Sequence, residues 1–318
     1  MATSHQGRVD VGTKYDNHVA RKGIHPLNSS LFLPALETTI RCRVAACAAL
    51  RGDAETIARW RKQPVVVGAQ KMPISFLKHS EDQTILALKT VLRAIELQGC
   101  CDCSFADWGV IAAPNLFGRV SVAQTIQRYQ QEGAWGVSPH LIPHQSLHAM
   151  SGTISQALKI YGPNFGISGG PNAGLDAFLI AGAMMVDRQL PGMWLVLTGY
   201  ESEWIPALDG RPTAAPMCQA VALALTPGEL SAAGLHLLLG HVRTDAANDL
   251  GLSCSTGGMA LPHRKDACAA LAHLPEFQLG LLVEELSAPT GLPTGRWRLA
   301  DAHWLEFDSV IREPEGRP

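Results

Sequence analysis

The chain has 318 residues, 47% of them hydrophobic and 17% charged, with a formal net charge of −2. That length holds one large α/β domain or two small ones. The near-neutral balance excludes the clustered positive field that nucleic acid requires, and no apolar run reaches membrane-spanning length.

Aromatic residues make up only 6% of the chain, so the core must be built from Ala, Leu, Val and Ile. Met1–Ser30 is polar and aperiodic and reads as a loose tail. Order is expected from Leu31, with Thr38–Ala46 a strand of alternating faces. Asp53 is placed to cap a helix through Trp60, and the short apolar run Pro64–Gly68 follows. Ser80 and Gln83 have capping-box spacing. The helix behind them carries Ile85, Leu88, Val91, Leu92 and Ile95 on one stripe and ends at Gly99. Trp108–Ala113 reads as a strand, and Pro114-Asn115 leads by way of Gly118 into a helix over Val120–Gln131.

Pro139 and Pro143 bracket an extended loop. Ser146 then caps a helix through Tyr161, which Gly162-Pro163 stops. Asn164–Ser168 is expected as a strand. Asn172 caps a helix through Val186 that is apolar nearly all round and therefore expected to be buried. Met193–Thr198 is the next strand. Gln219–Leu225 and Leu235–Val242 read as two adjacent strands joined through a Pro-Gly turn. Beyond them, Gly251–Gly258 reads as loop, Lys265–Ala272 as helix and Leu279–Val283 as strand. Three βα units followed by two strands argue a layered α/β sheet.

Several clusters carry possible chemistry. Of eight cysteines, Cys100, Cys101 and Cys103 are crowded, but no second pair stands at zinc-ligand spacing. Free thiols in a reducing cytoplasm are the simpler account, with no metal and no cofactor expected. His140, His144 and His148 lie close in sequence, yet no carboxylate accompanies them. They read as polar residues at a pocket mouth or a dimer surface. Gly166-Ile167-Ser168-Gly169-Gly170 matches the G-x-S-x-G nucleophile elbow, with a strand before it and a helix after. Asp209, Asp245, His241, His263 and His273 lie downstream, so a Ser168 hydrolase or acyltransferase is the alternative reading. The pattern is short, Gly-rich and common. Cys218 starts a strand and reads as a small buried hydrophobe.

The stretch SGTISQALKIYGPN resembles the glycine-bearing helix and GPN turn of β-ketoacyl synthases. The strand ending in Gly199-Tyr200-Glu201, the alternating Cys218–Leu225 and the segment Leu235–Asp245 resemble later parts of the same family. The likeness runs over Met72–Asp245 and covers the family's amino-terminal half only. It implies an α/β, thiolase-like layered sheet with a buried central helix and a truncated second half. In that division residues 1–30 form the tail, 31–250 the ketosynthase-like domain and 251–318 a short carboxy-terminal remnant.

The departures bear on function. In the family a cysteine follows the elbow strand at the amino end of the buried helix, where the helix dipole favours its thiolate. That position falls on Pro171 here, and a slip of one residue gives Gly170 or Asn172, neither of them a nucleophile. The family's two histidine turns are absent, since Gly240-His241 and Pro262-His263 are unlike both. The resemblance therefore implies a non-catalytic subunit of fatty-acid- or polyketide-type acyl-chain biosynthesis, as chain-length-factor subunits are. Its implied partners are a second copy or an intact ketosynthase, and an acyl carrier protein. The elbow candidates are Ser168, Gly169, Gly170 and Asn172, with His140 and His144 before them.

Overall fold

The computed structural model describes residues 40–99, 103–168, 173–201, 217–228, 234–241, 276–287, 295–300 and 303–310. The tail Met1–Ser30, the elbow residues Gly169, Gly170, Pro171 and Asn172, the loop Gly251–Gly258 and the helix expected over Lys265–Ala272 lie outside them. Among the described residues no helix is long and apolar enough to cross a membrane.

The first half of the chain supplies β1 (Ile40–Gly52), α1 (Ala54–Arg61), the small hairpin β2 (Val66–Val67) and β3 (Gln70–Lys71), α2 (Asp82–Gln98), β4 (Gly109–Pro114) and α3 (Arg119–Glu132). Then come α4 (Leu141–Gln145), α5 (His148–Leu158), β5 (Asn164–Gly166), α6 (Ala173–Arg188) and β6 (Met193–Glu201). The chain continues with β7 (Met217–Pro227), β8 (Gly234–His241), α7 (Leu279–Ser287), β9 (Gly295–Ala300) and β10 (His303–Val310). Apart from the hairpin, the strands form one eight-stranded mixed sheet in the order β5-β4-β6-β7-β1-β8-β10-β9. β4 runs parallel to β5 and β6, whereas β7 is antiparallel to both β6 and β1.

Side chains alternate across this sheet with period two and build a core on each face. Val110, Ala112, Trp194, Val196, Ala220 and Ala222 face α1, α2 and α5, while Ile111, Leu195, Leu197, Val221 and Leu223 face α6 and α7. β1 changes faces part-way. Cys42 and Val44 belong to the second core and Ala46 and Ala48 to the first, because a register shift against β7 falls between Val44 and Ala46. One inserted residue reverses the alternation. The alanines of β1, β4 and β7 give the first face little relief, and α2 lies on it buried around much of its circumference.

Several local expectations need correction. Asp53 does cap α1, its carboxylate accepting from the Thr56 N–H at 2.7 Å. The capping box before α2 does not form. Glu81 holds the cap position without a side-chain capping bond, the Ser80 hydroxyl has no partner among the described residues, and Gln83 points to β4 and β6. The loop between Pro139 and Pro143 is not extended, since α4 occupies Leu141–Gln145. α5 begins after Leu147 without a side-chain cap and stops at Leu158, where Lys159 takes a left-handed conformation with φ 55°. α6 buries one face only, leaving Ile180 38% and Val186 76% exposed.

Two corrections concern long-range order. β7 and β8 are not neighbours, because β1 lies between them and pairs with both. Leu279–Val283 is the start of helix α7 rather than a strand. β9 and β10 extend the sheet beyond β8.

Candidate functional site

In an open α/β sheet, ligand-binding groups collect at the carboxyl ends of parallel strands. Here that end gathers the exits of β4 and β6, the end of β1, the start of β7 and the amino termini of α2 and α7. Two side chains and the Asn115 backbone cross-link it. The Thr198 hydroxyl donates to Gln83 Oε1 at 2.7 Å, and Gln83 Nε2 donates to the Asn115 carbonyl at 3.0 Å. The Asn115 N–H returns to the Thr198 carbonyl at 2.8 Å and closes the ring.

Three cavities open around this ring. One, of about 250 Å³, lies against the first turn of α6 and is part apolar, part polar, with Ala113, Leu175, Leu197 and Phe277 on its walls beside Thr198 and Glu276. A second, of about 380 Å³, shares Asn115 and Leu279 with the first and adds Arg51, Tyr200, Glu201 and Gln219. Arg51 lies 3.6 Å from Glu201 and 3.5 Å from Glu284, so its charge is met on two sides.

The third cavity, of about 340 Å³, is polar, lined by Arg61, Lys78, His79, Glu81, Asp82 and Tyr200. Burial pushes the Glu81 and Asp82 carboxyls up, against the pull of Arg61, which is salt-bridged to Asp82. Ser121 donates to Glu81 from α3. His79 at its rim stacks on His140, with ring centroids 4.4 Å apart and planes 11° from parallel, while His144 lies 5.7 Å from His79. The histidine group is thus His79, His140 and His144, and His148 is not part of it. Among the described residues no three His, Cys, Asp or Glu side chains are arranged to hold a metal ion.

Of the elbow candidates, Ser168 is the one described, and it is exposed two residues past β5. Among the described residues no histidine or carboxylate is hydrogen-bonded to it. The first glycine of the G-x-S-x-G match has a packing reason. A Cβ at Gly166 would overlap the Leu147 carbonyl, and one at Gly162 in the GPN turn would overlap the Trp108 carbonyl. Cys218 is buried in the sheet, where desolvation and nearby Asp82 push its thiol far up, and burial holds the Cys42 thiol at about 12. Neither is a nucleophile at neutral pH.

Sequence reading missed Gln83, Asn115, Thr198, Gln219 and His79. Gln83 looked like a cap residue, and the others stand in ordinary strand or loop contexts.

No family model matches the chain, and no curated protein does. Solved structures do. A ketosynthase in complex with its chain length factor from Xenorhabdus doucetiae matches at 13% identity and a TM-score of 0.45, over 85% of this chain and 99% of that one. The ishigamide ketosynthase/chain length factor matches at 18% identity and a TM-score of 0.44, over 66% and 69%. A β-ketoacyl synthase from Burkholderia phymatum STM815 matches at 12% identity and a TM-score of 0.44, over 73% and 69%.

Proposed function

We propose that the chain is a non-catalytic, ketosynthase-like subunit of polyketide- or fatty-acid-type acyl-chain assembly. It acts by pairing with a second copy or with an intact synthase, and an acyl carrier protein is its further partner. The observation that carries the reading is an unpaired sheet edge in the same protein as an unpartnered apolar helix face. Among the described residues β5 stands at the end of the sheet and pairs with β4 alone. α3 exposes Val122, Ile126 and Tyr129 at helical spacing, and Trp135 just beyond it is 99% exposed. Open edges and contiguous apolar patches are what protein interfaces cover.

Two further features agree with it. The segment that resembles the family's helix and GPN turn ends directly in β5. The family's nucleophile position is Pro171 in this sequence, and the buried cysteines of the described residues lie in strands β1 and β7, where desolvation raises their thiol pKa values.

The test is co-expression with an intact synthase, followed by size-exclusion chromatography with light scattering. A stable dimer or heterodimer is expected, with no covalent adduct by intact mass after incubation with acyl-thioesters or a fluorophosphonate. A monomer at tens of micromolar, alone and with the synthase, overturns the reading. A fluorophosphonate adduct on Ser168 would support the hydrolase instead.

A further inference from the structure

The cavity beneath the amino terminus of α7 holds an unanswered polar group. Gln219 on β7 is only 6% exposed and lines this cavity, and its Oε1 has no hydrogen-bond partner among the described residues. A buried carboxamide oxygen left unpaired is costly. Above it lies the first turn of α7. Gly280 belongs to that turn, and an added Cβ there would stand 3.7 Å from Gln219 Oε1 and 3.8 Å from Nε2. The first N–H groups of a helix have no partner within the helix and carry its positive end. The cavity floor therefore needs a donor, and its roof offers donors of its own.

We propose that this cavity binds a neutral, linear ligand through a secondary amide, with a short apolar chain running on into the neighbouring cavity. An amide carries one donor and one acceptor on adjacent atoms. Its N–H meets Gln219 Oε1, and its carbonyl meets the N–H groups of the first turn of α7.

Charged ligands fit less well. Arg51 is already held between Glu201 and Glu284, so the side chains around it sum to negative and disfavour an anion. The amino terminus of α7 disfavours a cation. Leu279 and Asn115 line both cavities, so a chain leaving the amide past Leu279 reaches the apolar walls formed by Ala113, Leu175, Leu197 and Phe277.

The inference goes beyond pairing and is tested on the isolated full chain, so failure to pair does not decide it. The probes are N-hexylpropanamide, its ester analogue hexyl propanoate, in which an oxygen replaces the N–H, and hexylammonium. Each is titrated into the ¹⁵N-labelled protein and followed by NMR. The amide is expected to bind about ten-fold more tightly than the ester, the worth of one buried hydrogen bond. Gln219→Leu should bring that ratio close to one. Gly280→Ala improves helix propensity and should leave the fold intact, while its methyl group fills the approach to Gln219 and weakens the amide several-fold. Equal binding of amide and ester overturns the proposal, and so does no binding of the amide. It is equally overturned by tighter binding of hexylammonium, by an amide preference that survives Gln219→Leu, or by unchanged amide affinity in Gly280→Ala.

Discussion

Thr198 and Gln83 are both buried, and the Thr198 hydroxyl donates to the Gln83 carboxamide at 2.7 Å. This bond joins β6 to the first turn of α2, and through Gln83 Nε2 it also reaches the exit of β4. Gln83→Leu removes both bonds and leaves the buried Thr198 hydroxyl only a weak bond to Met150 Sδ at 3.9 Å. The expected cost is about 2 kcal/mol, read from urea unfolding. A double-mutant cycle with Thr198→Val should return a coupling of about 1 kcal/mol. Independent effects would mean that the two side chains do not act together.

Gly166 and Gly152 separate a glycine required by packing from one that is not. A Cβ at Gly166 would overlap the Leu147 carbonyl, and backbone cannot move aside cheaply. Gly166→Ala should cost on the order of 2 kcal/mol or more as β5 is pushed away from the start of α5. At Gly152, inside α5, the nearest atoms are in the His148 ring at 3.6 Å, an ordinary contact. Gly152→Ala should therefore stabilise by up to about 1 kcal/mol through helix propensity. Thermal unfolding of the two variants checks the contrast.

The elements that could be read from the chain were those whose pattern is local. Alternating small and large residues mark β7, and a 3.6-residue stripe marks α2. What could not be read depends on contacts distant in sequence. The adjacency of β7 and β8 looked natural, but β1 inserts between them, and no periodicity encodes that. The run Leu279–Val283 is too short and apolar to separate strand from helix. His79 joins His140 and His144 across two intervening helices, whereas His148, close to them in sequence, turns elsewhere. Gln83 has the spacing of a cap residue and serves instead as a cross-link, because a polar side chain facing the sheet finds better partners there than on its own helix.

The His79, His140 and His144 group predicts an acid-sensitive region. Desolvation, then the charges of His140, Lys78, His144 and Arg61, holds the pKa of the exposed His79 below the ordinary histidine value, and desolvation with His140 does the same to His144. The folded state thus takes up protons less readily than the unfolded chain. That contribution to stability is complete above the unfolded value of about 6.5 and is lost as the pH falls below it. The melting temperature should decline between pH 7 and pH 5, and His79→Gln should make the decline shallower. An unchanged slope in His79→Gln would show that other groups dominate.

Thiol chemistry should follow burial. Cys42 and Cys218 are buried with raised pKa values, whereas Cys103 is exposed. Alkylation of the native protein at pH 8, mapped by mass spectrometry, should label Cys103 and spare Cys42 and Cys218 until denaturant is added.

The exposed face of α3 gives the sharpest test of pairing. Val122, Ile126 and Tyr129 follow the i, i+4, i+7 spacing of one helix side, yet this side is turned outward. A solvent-facing apolar stripe adds little to the stability of the chain that carries it, so replacing it should change folding by no more than about 0.5 kcal/mol. If the stripe is covered in a dimer, the same replacement removes apolar contact area and introduces a charge that must be desolvated there. Ile126→Glu combined with Trp135→Ser should therefore leave the melting temperature nearly unchanged while weakening dimerisation about ten-fold or more in sedimentation-velocity measurements. A large loss of melting temperature would mean that the stripe packs within the chain. Full retention of the dimer would move the interface to another face.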